Sequence, residues 1–226
     1  MYADDNPVFF EDIMGLGVET VIIKGDKKSV KKTYKQLKSS TSLRLKIDKN
    51  GVISAKGKAK TKADEKLLEA INDKNIDVVI DATDSNYGKD GHWFAGGSFE
   101  GSEKKDDEKI IAHQTINPNI TKKLDGFYGM KNGVTVLHEV LEAYIGATDS
   151  PGTKPPSYND IKNKTQNAVN YLNAHKKAMA LDPRFIEPNL SFDNKAVYIT
   201  RFKHDDLLPA FLNPPTVLFK FKKNRK

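Results

Sequence analysis

The chain has 226 residues, a formal net charge of +7 and no cysteine. The missing cysteine excludes a disulfide framework and a thiolate zinc site, so histidine and carboxylate side chains would have to hold any metal ion. No apolar run approaches the ~18 residues of a transmembrane helix, and the first residues lack the pattern of a signal peptide. The excess of lysine allows an acidic partner such as nucleic acid, anionic lipid or an acidic inhibitor.

The first half of the chain shows mainly strand patterns, separated by two short amphipathic segments. The expected elements are a strand over 18–24, a helix over 29–37 capped by Ser29, a β-hairpin turning at 49–51, a helix over 63–71 capped by Thr61, and strands over 76–83 and 110–116. Between the last two strands lies a segment rich in glycine and polar residues, with the pattern Gly96-Gly97-x-Phe99-x-Gly101.

Helical patterns dominate the second half. A helix is predicted over 133–146, with a glycine at each end, and a longer helix over 159–181 that ends at Asp182-Pro183. The expected inner face of the longer helix comprises Ile161, Ala168, Tyr171, Leu172, His175, Ala178 and Met179. Two strands follow, over 196–202 and 216–222. Because strands precede the two long helices, the layout predicted is α+β.

The first of these helices carries the chemistry. His138 and Glu142 are four residues apart and therefore lie on one helical face, as the two ligands of a His-Glu-x-x-His zinc motif do. Glu139 occupies the position of that motif's general base. Three ionisable groups are costly to bury in so apolar a helix, and a divalent cation would compensate them. The simpler interpretation is an amphipathic helix whose charged groups face water.

A catalytic zinc ion needs three protein ligands and one open position. His138 and Glu142 supply two, and His175 is the predicted third because it lies mid-helix among small and apolar residues. His113, on the strand over 110–116, is the alternative third ligand. His92 and His204 lie in polar segments and are not expected at the site.

Two parts of the sequence resemble one kind of bacterial protein. The spacing of Tyr2, Asn6-Pro7, Asp12 and Gly15-Leu16 resembles the end of an RHS (YD-repeat) core, although Ile13 replaces the usual proline. Residues 76–181 resemble the zincin-like metallopeptidase toxin domains at the ends of RHS proteins. The matching motifs are the glycine pattern at 96–101, the helix motif at 138–144 and Ala174-His175.

The resemblance implies two regions, with 1–16 ending the RHS core and 17–226 forming one zincin-like toxin domain. In that fold a mixed or antiparallel sheet packs against the active-site helix and a second long helix, and an edge strand holds the substrate. It also implies zinc, a protein or peptide substrate, a cognate immunity protein and export within a larger RHS protein.

The mechanism implied is hydrolysis of an amide, with Glu139 moving the proton from water to the leaving amine. Tyr171, one turn before His175, or Tyr158 could donate to the oxyanion, although either could be a packing residue. The glycine pattern could let a peptide backbone approach closely or could be a tight turn.

Two other functions remain open. A metal-dependent nuclease toxin would suit the net positive charge of the chain, because nucleic acid is negatively charged. However, no interleaving of aromatic and basic residues marks a nucleic-acid surface. A non-catalytic binding domain would follow if Glu142, in place of the usual histidine, had destroyed the site.

Overall fold

The structure, a computed structural model, describes residues 20–88, 94–105, 108–192, 196–201 and 216–222. The segment 1–16, His92 and His204 lie outside these residues, so the predictions made for them stay predictions. The described strands are β1 (Val21–Gly25), β2 (Arg44–Ile47), β3 (Ile53–Lys56), β4 (Ile76–Ala82), β5 (Gly97–Lys104), β6 (Ile110–Ile116), β7 (Asn189–Phe192), β8 (Ala196–Arg201) and β9 (Thr216–Lys222). The described helices are α1 (Lys27–Ser40), α2 (Lys62–Asn72), α3 (Pro118–Tyr128), α4 (Val134–Asp149), α5 (Tyr158–Asn163) and α6 (Gln166–Leu181).

The main sheet is mixed, as predicted. Its strand order is β1-β4-β6-β5, with β1, β4 and β6 parallel and β5 antiparallel at one edge. Strands β2 and β3 form the predicted hairpin, which joins β1 through the hydrogen bond from Ile23 N–H to the Gly51 carbonyl (2.9 Å). Strands β7, β8 and β9 form a separate antiparallel sheet. The described part of the chain is therefore a mixed α/β protein with six helices.

Helix α4 is the central element of the core. It packs against β4, β5 and β6, and it also contacts α1, α2, α3 and α6. Thirteen of its residues are buried, because an element enclosed by strands on one side and helices on the other has almost no solvent-facing surface. The predicted apolar positions Val134, Leu137, Val140, Leu141 and Tyr144 are all among them. The alternative in which His138 and Glu142 face water is therefore wrong.

The N-terminus of α4 is capped by another helix. Gly133 at the N-cap has φ +92° and no side chain to cap with, and a Cβ there would overlap the backbone of Gln36. Asp125 of α3 instead accepts hydrogen bonds from Gly133 N–H (2.5 Å), Thr135 N–H (3.1 Å) and Thr135 Oγ1 (2.6 Å). These bonds satisfy donors that a helix leaves free at its first turn, so α3 fixes where α4 begins.

Several helix boundaries differ from the prediction. Asp26, not Ser29, caps α1, since its carboxylate accepts from the N–H groups of Lys28 and Ser29. Helix α4 continues past Gly146 to Asp149. The predicted helix over 159–181 is two helices, because Lys164 adopts a left-handed φ of +51° and Thr165 caps a new helix.

Other features were missed or misplaced. Strands β5 and β7 and helix α3 were not predicted, although Asn117 and Pro118 are a typical cap and first residue for α3. On the expected inner face of the longer helix, Ile161 and Leu172 are exposed. No helix in the described ranges has the length and hydropathy needed to span a membrane.

Candidate metal centre

Two helices bring three potential ligands together. Helix α4 carries His138 and Glu142, whose side chains are 1% and 3% exposed, and α6 carries His175, whose side chain is 18% exposed. The helices pack closely because Gly146 and Ala174 meet between them, where a Cβ on Gly146 would lie 3.7 Å from that of Ala174. Small residues at this crossing let long polar side chains from each helix meet one turn away.

The three side chains converge on a common point. His138 Nε2 lies 3.3 Å from Glu142 Oε2 and 3.2 Å from His175 Nδ1, and the Glu142 carboxylate contacts His175 Nδ1 directly. Ligand atoms around a tetrahedral zinc ion are about 3.3 Å apart. Two imidazole nitrogens and one carboxylate oxygen also form a donor set that zinc accepts. Among the described residues, this is the group that could hold a metal ion.

Burial and charge shift the acid–base properties of the cluster. Burial lowers the pKa of His138, and the Glu142 carboxylate only partly offsets this. Burial acts the same way on His175, but its hydrogen bond to Glu142 and the charge of that carboxylate outweigh it and raise the pKa. For Glu142 itself, hydrogen bonds from both imidazoles overcome burial and lower the pKa. Glu142 is therefore a carboxylate at neutral pH, the form in which it binds metal.

Glu139, one residue after His138, points toward the sheet. Its Oε2 accepts a hydrogen bond from Gln114 Nε2 of β6 (2.5 Å). Burial and the nearby Glu142 charge raise the pKa of Glu139 to about 8. A divalent cation would supply the positive charge that favours ionisation of both carboxylates. The chemistry of these residues therefore fits a bound cation.

The glycine pattern at 96–101 has a separate packing reason at each glycine. A Cβ on Gly97 would overlap the Glu139 carboxylate, so the close approach is that of an acidic side chain. Gly96 and Gly101 have φ of +96° and +101°, with α3 packed over the first and the 153–155 loop over the second. The tight-turn alternative is wrong for Gly97 and Gly101, because both belong to β5.

Tyr171 lies beside the cluster but is not one of its ligands. Its ring stacks between Phe99, at 6.1 Å between centroids, and His175, at 6.3 Å. It lines a small crevice together with Phe99, Glu142, Gly146, Thr153, Asn170 and Ala174. Burial and the carboxylates of Glu142, Glu139 and Glu187 raise the pKa of Tyr171, so its phenol remains a neutral hydrogen-bond donor. The side chain of Tyr158 lies outside the described part of the structure.

His113 is not part of the cluster. Successive side chains of a strand alternate between faces, and the next residue, Gln114, faces Glu139. His113 therefore lies on the opposite face of the sheet, where its Nε2 is 3.6 Å from Glu103 Oε1. Of the two candidates for a third ligand, the structure brings His175 to His138.

Three residues at the site were not identified from the sequence, and the contact made by a fourth, Gly97, was not foreseen. Gln114 could have been suspected, because it is a polar residue at a core-facing position of an apolar strand. Gly97 belongs to the glycine pattern at 96–101, but the sequence does not indicate that Gly97 packs against Glu139. Phe185 stacks on His138 at 3.7 Å between ring centroids, and Glu187 Oε1 lies 3.5 Å from His175 Nε2. Nothing in the local sequence around Phe185 and Glu187 indicates these contacts.

The chain was also compared with known proteins. Neither protein-family models, nor curated proteins, nor solved structures gave a match. The resemblance to RHS-associated metallopeptidase toxins therefore stays a prediction based on the motifs.

Proposed function

We propose that this chain is a zinc-dependent peptidase with a zincin-like fold that acts as the toxin domain of an RHS protein. The observation that carries the proposal is the buried convergence of His138 Nε2, Glu142 Oε2 and His175 Nδ1. An acidic side chain, Glu139, adjoins that point and has no ligand role. Three ligands beside a separate general base are the arrangement of a hydrolytic zinc site.

His138, Glu142 and His175 would hold the ion, which supplies a polarising charge for a carbonyl and lowers the pKa of water. Glu139 acts as the proton carrier. Gln114 fixes Oε2 of Glu139, which leaves Oε1 to take a proton from the attacking water and to deliver it to the leaving amine. Each hydrolysis adds one water across the amide bond and returns Glu139 to its starting form.

Tyr171 is the proposed donor to the oxyanion. Its phenol is neutral because its pKa is raised, and a neutral O–H can donate a hydrogen bond to the oxygen on which negative charge develops. The peptide would lie beside edge strand β5, since Gly97 of that strand contacts Glu139. The hydrogen bond from Ser102 N–H to the Thr153 carbonyl (2.8 Å) covers the far end of that strand. We expect the substrate to approach β5 near Gly97, away from the contact with Thr153.

An acidic immunity protein is the proposed partner of the toxin, which is exported within the larger RHS protein. Helix α1 carries six lysines and no acidic residue. Lys27, Lys31 and Lys35 are exposed along it, and such a surface speeds association with an acidic protein. The same surface would favour nucleic acid in the nuclease alternative.

The test uses Glu139→Gln with fluorescein-labelled casein as the substrate and with labelled DNA and RNA in parallel. The variant should retain zinc, because Glu139 is not a ligand, and should lose at least ~10²-fold in casein hydrolysis. Glu108→Gln, an equivalent change at a side chain that is 83% exposed, is the control. Full activity in Glu139→Gln refutes the general-base role, and zinc-dependent cleavage of nucleic acid without casein hydrolysis supports the nuclease instead.

A further inference from the structure

The two imidazoles of the cluster each have one nitrogen that faces away from it. These atoms, His138 Nδ1 and His175 Nε2, are buried and make no hydrogen bond to any residue that the structure describes. A histidine that binds a metal ion ordinarily donates its other N–H to a carboxylate, carbonyl or water, which fixes its tautomer and the plane of its ring. The orientation of these two rings therefore depends on the groups that pack against their outer sides.

Both groups come from one short segment after α6, residues 182–188. The Phe185 ring lies parallel to His138, with 3.7 Å between centroids and 5° between planes. Two residues later, Glu187 Oε1 lies 3.5 Å from His175 Nε2. That distance is long for a hydrogen bond and short enough for an electrostatic contact. Phe185 is 8% exposed, whereas the Glu187 side chain is 61% exposed.

The segment is anchored on both sides of Phe185. Arg184 donates to both carboxylate oxygens of Asp182 (2.7 Å each), and its Nη1 reaches the Ser40 carbonyl (2.9 Å). Phe185 N–H donates to the Asp182 carbonyl (3.0 Å), and Ile186 N–H contacts the Met130 sulfur (3.1 Å). These bonds hold the segment against α1 and the loop after α3, so its contacts with the histidines are fixed by the core.

We propose that Phe185 and Glu187 are positioning residues that orient the two histidine ligands from outside. Phe185 fixes the plane of the His138 ring by stacking. Glu187 attracts the Nε2 side of the His175 ring, so that Nδ1 is the nitrogen offered to a cation at the point shared with His138 Nε2 and Glu142 Oε2. Glu187 is not itself a ligand in this arrangement, because it lies by Nε2 while the converging atom is Nδ1. This inference rests on the proposed metal site.

The first test measures zinc affinity by competition with a chromophoric chelator. Glu187→Ala should weaken zinc binding about 10- to 100-fold, as losses of an outer carboxylate partner usually do, and Glu187→Gln, which keeps an acceptor oxygen, should lose less. Glu108→Gln should bind as wild type does. Phe185→Leu should weaken zinc binding, whereas Phe127→Leu, which removes another aromatic ring from the same apolar cluster, should not.

The second test reads the orientation of the His175 ring directly, from crystal structures of metal-free wild type and metal-free Glu187→Ala. The wild-type ring should keep Nδ1 toward Glu142 and Nε2 toward Glu187, and Glu187→Ala should show a rotated or disordered ring. Wild-type zinc affinity together with an unchanged ring orientation in Glu187→Ala overturns the inference for Glu187. A changed absorption spectrum of the cobalt(II) protein in Glu187→Gln also overturns it, because Glu187 would then be a ligand.

The two tests separate this inference from the function on which it rests. If wild-type protein binds no zinc, the proposed function fails. The ring orientation in metal-free protein still decides whether Glu187 orients His175. If zinc binds normally and Phe185→Leu equals Phe127→Leu in both affinity and melting temperature, Phe185 has only a packing role and that half of the inference is wrong.

Discussion

Gly97→Ala tests whether Glu139 must lie against β5 to act as the general base. A Cβ at Gly97 would lie 2.0 Å from the carboxyl carbon of Glu139, whereas carbon–carbon contacts are comfortable at about 3.5 Å or more. The carboxylate must therefore move by about 1.5 Å. Because the obstructing atoms end a flexible side chain, the displacement requires no backbone shift, and Glu139 leaves its hydrogen bond to Gln114.

Gly97→Ala should lower the rate of hydrolysis and leave the stability of the fold nearly unchanged. Displacement of a catalytic group by about 1 Å costs on the order of 10²-fold in rate, so casein hydrolysis should fall by that factor or more. Alanine suits a strand better than glycine does, which offsets part of the cost of losing one hydrogen bond, about 1 kcal/mol. For a chain of this size, the melting temperature should change by no more than about 4 °C.

The assay combines casein hydrolysis, zinc content and thermal melting followed by circular dichroism. Gly126→Ala is the matched control, since a Cβ at that position in α3 meets no atom of the described residues within 4 Å. It should leave hydrolysis and zinc content unchanged and should not lower the melting temperature, because alanine is favoured over glycine inside a helix. If Gly97→Ala keeps wild-type activity, Glu139 does not need its place against β5. If it loses zinc together with activity, the substitution acts on the ligands and the reasoning is also wrong.

Three further predictions concern stability. Burial opposes ionisation of Asp64, but hydrogen bonds from Ser42, Thr41 and Lys60 outweigh it and lower its pKa to about 2. Because this folded-state pKa lies below the unfolded one, Asp64 contributes about 2 kcal/mol above pH 4 that is lost as the pH falls toward 2. The free energy of unfolding measured in urea should therefore be lower for Asp64→Asn than for wild type at pH 6. The difference between the two proteins should be much smaller at pH 2. Asp125→Ala should cost about 1–3 kcal/mol in urea unfolding by leaving N–H groups at the start of α4 unpaired, and an unchanged midpoint would show that water replaces the carboxylate. Deletion of residues 1–16 should leave the melting temperature nearly unchanged, and a large drop would show that this segment packs into the domain.

The site could be predicted from the sequence where its residues are close together in one helix. His138, Glu139 and Glu142 follow from one helical period, and their burial follows from the apolar residues between them. His175 was identified because it interrupts an otherwise small and apolar stretch. In each case the local pattern alone carried the information.

The contacts that complete the site depend on the tertiary fold. Gln114 reaches Glu139 across 25 residues, and the cap that Asp125 supplies to α4 requires the turn after α3. The break at Lys164 was missed because a left-handed lysine leaves no composition signal, unlike glycine. Strand β5 was missed because glycine, serine and charged residues have low β-propensity, and its pairing with β6 overrides that preference.

The most direct test of the account is the zinc content of purified protein after incubation with equimolar zinc and gel filtration. Wild-type protein should retain about one zinc ion per chain, while His138→Ala and His175→Ala should lose it. His113→Ala, a change on the opposite face of the sheet, should retain the wild-type amount. A wild-type chain without zinc, or a His113→Ala variant that loses as much zinc as His138→Ala, would contradict the metal centre described above.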